Sequence, residues 1–165
     1  MRYGFGFALI SGLALAAMSA AQEGTALASH YAVGDVPTLI SAADAEKLKK
    51  GGVSTTEELL DKGAKTKDRK ALAKSSGLAG PALLTLVRRC DLLRIKGVGP
   101  EMVLLMEAAG VKTAADLAKK DAEALTAATD AANKSKKITE KPPTKPQFED
   151  WIEQAKALPP VIEGK

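Results

Sequence analysis

Cysteine and histidine are nearly missing from this chain, with one of each, Cys90 and His30, in 165 residues. An internal disulfide framework is excluded, and one Cys with one His cannot supply the spacing of a zinc site. His30 falls in a stretch without helical or strand periodicity, where a lone histidine is solvated rather than poised as a base. No glycine-rich loop carries the Lys and Ser or Thr of a nucleotide phosphate motif. An enzyme, a cofactor and a small-molecule substrate are therefore not expected. Aromatic residues amount to 4% of the chain, and beyond residue 21 only Tyr31, Phe148 and Trp151 remain. That is too few for the stacking platforms of single-stranded nucleic acid, and Phe148 and Trp151, three apart, are placed to clamp a helix onto a core. The alternation of β-branched residues that marks strands is also absent, so the chain reads as all-α.

Long hydrophobic runs are scarce as well. The single one covers residues 5–17, after the positive Arg2 and before the small residues Ser19, Ala20 and Ala21. This is the pattern of a signal peptide over residues 1–21, cleaved after Ala21, and the run is shorter and richer in Gly and Ala than the ~20 apolar residues of a membrane span. No cysteine follows it to carry a lipid anchor. The expectation is an exported protein, periplasmic or secreted, with no stable membrane span after cleavage. Losing residues 1–21 removes one charge, Arg2, and leaves 23 basic against 20 acidic residues. Dedicated nucleic-acid binders concentrate a larger excess on one face.

What is present is a series of short helices cut by glycine, proline and capping residues. Residues 22–36 read as a flexible leader, and residues 37–162 as the folded domain. A first helix is expected over 41–50, before Gly51 and Gly52. Thr55 and Glu58 form a capping box for a second helix ending at Gly63. A third runs over 67–75 to Gly77. Pro81 opens a longer helix to Arg94, with Leu83, Leu84, Val87 and Cys90 as its buried stripe, so Cys90 belongs to the core. Pro100 opens the next helix, which closes at Gly110. Thr113 and Asp121 cap two more, residues 134–146 form a Lys- and Pro-rich linker, and a last helix spans 147–158. Acidic residues at Glu57, Glu58, Asp116, Glu123 and Glu149 fit helix first turns, where they offset the macrodipole. The basic cluster Lys65, Lys67, Arg69, Lys70 and Lys74 reads as a solvated helix face.

The sharpest feature is Ile95, Lys96, Gly97, Val98, Gly99, Pro100, Glu101: a Gly-hydrophobic-Gly turn between two helices, as in a helix-hairpin-helix. Gly97 and Gly99 supply backbone freedom, Val98 a core plug, and Pro100 a helix start. Such a turn aims unpaired N–H groups at a helix N-terminus and can hold a phosphate. The candidate DNA- or anion-binding residues are Arg94, Lys96, Gly97, Val98, Gly99 and Lys112, with Arg88 and Arg89 nearby in sequence. Glu101, just past the turn, opposes an anion there. An internal repeat at an offset of 58 residues aligns Gly110, Val111, Thr113 and Leu117 with Gly52, Val53, Thr55 and Leu59. The same offset sets Gly97 to Pro100 against Leu39, Ile40, Ser41 and Ala42, so the first hairpin is degenerate: it keeps the plug and lacks both glycines. Leu39 to Ala42 should therefore be shaped differently from Gly97 to Pro100.

Two segments carry a resemblance to a known family. They are Cys90, Asp91, Leu92, Leu93, Arg94, Ile95, Lys96, Gly97, Val98, Gly99, Pro100, and Glu149, Asp150, Trp151, Ile152, Glu153, Gln154, Ala155, Lys156, Ala157, Leu158, Pro159, Pro160. On these residues the chain resembles the tandem helix-hairpin-helix-like family catalogued as domain of unknown function 4332, over about residues 44–162. The resemblance implies an all-α compact bundle of short helices built from two helix-hairpin-helix-like halves, and no reaction, cofactor or catalytic residue. The function expected is a non-catalytic binding or scaffolding module with an unidentified protein partner. The alternative is sequence-independent double-stranded DNA binding to backbone phosphates through the Gly97-Val98-Gly99 hairpin.

Overall fold

Glycines and capping side chains cut the chain where the sequence places them. The computed structural model describes residues 28–164. The expected signal peptide and the leader up to residue 27 lie outside the described residues.

Ser41 caps α1 (Ala42–Lys50), accepting from the Asp44 amide at 3.2 Å, and Thr55 caps α2 (Thr56–Gly63), accepting from the Glu58 amide at 3.2 Å. The Glu58 carboxylate in turn accepts from the Ser54 N–H at 2.7 Å, satisfying another donor ahead of the helix. α3 (Thr66–Ser76) ends on Gly77 in the left-handed conformation, φ 72°. Proline sits in the first turn of α4 (Gly80–Leu92) and of α5 (Pro100–Ala108). Thr113 and Asp121 cap α6 (Ala114–Leu117) and α7 (Ala122–Lys136), each accepting from an amide three residues on. α8 (Lys145–Ala157) starts earlier than expected, so residues 134–146 are not one linker. Both neighbouring helices reach into that segment, and Asn133 ties down its middle, accepting from the Thr139 N–H at 3.0 Å and donating to its carbonyl at 2.9 Å. Glu149 consequently lies beyond the first turn of α8.

The protein is all-α, and the described residues contain one isolated backbone bridge, Ala32 to Thr55. α4 lies at the centre, packed on α2, α3 and α5, while α8 closes over α6 and α7. α2 and α4 meet at Gly63, where a Cβ would come within 2.2 Å of Val87 Cγ2; only a glycine permits this approach. The core includes Leu39, Ile40, Leu48, Leu59, Leu83, Val87, Ile95, Val98, Met106, Val111, Phe148 and Trp151. Leu93, at the C-cap of α4, and Leu105 on α5 are fully buried. Phe148 and Trp151 pack edge to face, ring centroids 5.4 Å apart at 88°. Cys90 is buried, and burial pushes its thiol far above the ordinary range, so it is a small core residue.

The 58-residue offset recurs in the helix starts and in the turns between them. α1 and α5 start 58 residues apart, as do α2 and α6. Gly52 and Gly110 share left-handed φ values of 79° and 81°. Val53 and Val111 donate to the carbonyls of Leu48 and Met106 at 2.9 Å each. The segments ahead of α1 and α5 differ in shape, as expected. Gly97 has φ 90°, whereas Leu39 is not among the positive-φ residues, and Leu39 and Ile40 both donate to the Val36 carbonyl.

Two further expectations give way in the described residues. The leader was expected to stay loose up to residue 36, but Val33 and Val36 are buried, and Tyr31 and Val33 bond the backbone around Thr55. Two valines spaced three apart bury enough apolar surface to tie this segment down. The basic cluster on α3 is also broken: Arg69 points inward, donating to the carbonyls of Gly63 at 2.6 Å, Ala64 at 3.0 Å and Glu163 at 2.6 Å. It thereby caps the C-terminal end of α2 and fastens the tail against it. Burial first, then the Arg88 charge, lowers the Arg69 pKa, and Glu163 opposes them.

Candidate functional site

The Gly97-Val98-Gly99 turn has an inner and an outer side. Val98 is fully buried and donates its N–H to the Ile95 carbonyl at 3.1 Å, so this amide faces no ligand. Gly97 needs its glycine twice over: φ is 90°, and a Cβ would stand 3.1 Å from Trp151 Nε1. Gly99 has φ −103° and ψ −179°, ordinary extended backbone, with nothing within 4 Å of a Cβ. It caps α5 without a side chain, and its own amide and that of Gly97 donate to no group among the described residues.

α8 closes on this turn. The Gln154 side chain accepts from the Lys96 N–H at 2.8 Å and donates to the Lys96 carbonyl at 3.3 Å. The same Gln154 amide donates to Asp150 at 2.8 Å, bringing a carboxylate to the outer side of the turn. Neither residue was singled out by sequence reasoning. Their only signal was position, Asp150 and Gln154 flanking Trp151 on the helix that covers Gly97.

The expected phosphate-binding residues separate. Arg94 is not beside the open amides; its side chain is 1% exposed and pairs with Asp91 at 2.8 Å. It also donates to the Pro159 carbonyl at 3.0 Å, while Asp91 accepts from the Ala114 N–H at 2.8 Å. This network joins the end of α4, the start of α6 and the chain after α8, which is why an arginine at the end of an amphipathic helix turns inward. Lys96 remains exposed, and so does Glu101 in the first turn of α5. Lys112 lies elsewhere, lining a cavity of about 200 Å³ with Thr85, Arg88, Arg89, Leu92, Glu107 and Val111.

A second surface feature was missed entirely. The face of α5 and the chain leaving α7 enclose two adjoining hollows of about 750 and 460 Å³. Leu104, Ala108 and Ile138 supply apolar surface. Lys134, Lys136, Lys137 and Lys141 stand along the rim with Glu101 and Glu140, and none of these six forms an ion pair among the described residues. Lys137, at φ 49°, is the one non-glycine residue with positive φ among the described residues, and it turns the chain back along the groove. The sequence presented this region as a solvated linker, which hid the groove.

His30 lies at the surface 3.2 Å from Glu57, and no group of three or more metal-ligating side chains is found among the described residues. No helix among them is long and apolar enough to cross a membrane.

With this geometry in hand, comparison with known families decides the membership. The family described as Domain of unknown function (DUF4332) matches residues 38–158. The chain belongs to that family. Its matched span runs from the start of the first repeat through α8, taking in both the glycine turn and the Gln154 clasp. No curated protein and no solved structure matches the chain.

Proposed function

We propose that this is an exported, non-catalytic binding module whose partner is a protein, engaged by the groove between α5 and the chain after α7. The observation that carries this reading is the composition of that groove: apolar surface from Leu104, Ala108 and Ile138 beneath four lysines that form no ion pair among the described residues. An apolar centre with a charged rim is the anatomy of a protein interface. The complementary occupant is an extended segment bearing carboxylates around an aliphatic side chain.

The alternative, duplex DNA held by a helix-hairpin-helix, rests on the open Gly97 and Gly99 amides. Phosphate binding draws its affinity from several cations acting together. Here Lys96 stands alone, Arg94 is interior, and Glu101 and Asp150 lie on the same outer side. Titration of a fluorescent DNA duplex at low ionic strength tests the choice. The expected result is no saturable binding that Lys96→Glu weakens. Steeply salt-dependent binding lost in Lys96→Glu establishes the DNA reading instead. In parallel, a protein recovered from envelope extract after nuclease treatment should be lost with the double variant Lys136→Glu, Lys141→Glu; recovery undiminished in that variant removes the groove from the interface.

A further inference from the structure

The cavity beside Lys112 belongs to neither the glycine turn nor the groove floor. α4 lines it from one face, with Thr85, Arg88, Arg89 and Leu92 spaced three, four and seven apart. Glu107 near the end of α5, together with Val111 and Lys112 ahead of α6, forms the opposite wall. Leu92 and Val111 make a buried apolar floor. Three cations and one carboxylate thus share about 200 Å³, well under the volume that holds a drug-sized ligand.

The cations are not equivalent. Arg89 is fixed, its Nε donating to Glu107 at 2.9 Å and its Nη1 to the Leu39 carbonyl at 2.5 Å. Glu107 is therefore already taken. Arg88 and the Lys112 ammonium have no carboxylate partner among the described residues. The Lys112 backbone is nonetheless held, because its N–H donates to Asp116 at 3.3 Å. A clamped guanidinium, joined around a small hollow by a second guanidinium and an ammonium that have no carboxylate partner among the described residues, forms an anion receptor. The net charge of the lining is +2, which a doubly charged anion neutralises.

The geometry points to a site for a small doubly charged tetrahedral oxyanion, a phosphate group either free or at the end of a small molecule, held by Arg88, Arg89 and Lys112. Glu107 positions Arg89 and shapes the wall. The Arg89–Glu107 pair also lines the smaller hollow of the groove, so the two sites share a wall, whereas Arg88 and Lys112 line this cavity and not the groove.

The test is titration of the full chain at low ionic strength with inorganic phosphate, followed by calorimetry and by amide and arginine Nε–H resonances. A second titration uses glycerol phosphate, and sodium chloride serves as control. One-to-one saturable binding is expected, with shifts at Thr85, Arg88, Arg89 and Lys112 that chloride does not reproduce. Arg88→Gln and Lys112→Gln should each weaken it about tenfold, the scale of losing one charge-assisted hydrogen bond, while the remote Lys70→Gln leaves it unchanged. Tighter binding of glycerol phosphate than of phosphate assigns the site to a monoester, and the reverse order to the free ion. Shifts that track ionic strength without saturating, or affinity unaltered in both cavity variants, overturn the site. Because Arg88 and Lys112 are not core residues, both variants should melt with the wild type, so lost binding is not lost fold.

Discussion

Gln154 meets the backbone of Lys96 on both its hydrogen-bonding groups, accepting from the N–H at 2.8 Å and donating to the carbonyl at 3.3 Å. A side-chain amide thus does for the turn what a neighbouring strand does in a sheet, and joins two segments 58 residues apart in sequence. Gln154→Ala should cost about 1 kcal/mol, the net worth of a mostly solvent-accessible hydrogen-bonded pair. Hydrogen exchange should localise the change, with faster exchange at Lys96. Unchanged protection there would show that the clasp does not hold the turn.

The buried pair of Asp91 and Arg94 supports a prediction about asymmetry. Asp91→Ala strands an interior guanidinium and uncaps the Ala114 amide, so it should cost about 3–5 kcal/mol, the range for breaking a buried pair. Arg94→Met leaves Asp91 with the Ala114 N–H and keeps an apolar stem in place, so it should cost less. Denaturant unfolding of both variants measures the difference; equal costs would contradict the account of Asp91 as the shared node.

The two glycines of the turn should respond differently to alanine. At Gly97, positive φ and the Trp151 ring together oppose a Cβ, and Gly97→Ala should destabilise by about 1–3 kcal/mol. At Gly99 the backbone is extended and space is open, so Gly99→Ala should stay within about 0.5 kcal/mol of wild type in thermal or denaturant melts. Comparable losses at both positions would contradict the open, unstrained setting of Gly99.

Cys90 yields a chemical prediction. Its thiol is fully buried and its pKa is raised first by burial and then by Asp91, so the thiolate that alkylating reagents attack is scarce in the native protein. Labelling at neutral pH should be negligible until denaturant unfolds the chain. Rapid native labelling would place Cys90 outside the core.

Most of the helix plan was legible because it rests on local chemistry. Thr55, Thr113 and Asp121 each cap the helix that their spacing announced, and the repeat could be read from Gly52, Val53 and Thr55 against Gly110, Val111 and Thr113. What stayed hidden depends on long-range partners. Arg94 looks like a surface cation until Asp91 and Pro159 converge on it, and Arg69 looks like part of a basic face until the Glu163 carbonyl arrives from the tail. Val33 and Val36 lie among glycine and aspartate, so local composition suggested a loose leader where distant contacts with residues 54–56 impose order. The groove escaped for the opposite reason, since a Lys- and Pro-rich stretch carries no periodicity to show that Ile138 lies against α5.

A photo-cross-linking amino acid introduced separately at Ile138 and at Lys96, activated in intact cells, tests the central claim that the groove rather than the glycine turn meets the partner. The account predicts a discrete protein adduct at Ile138 that survives nuclease treatment, and none at Lys96. A nuclease-sensitive adduct at Lys96, with Ile138 silent, would contradict it.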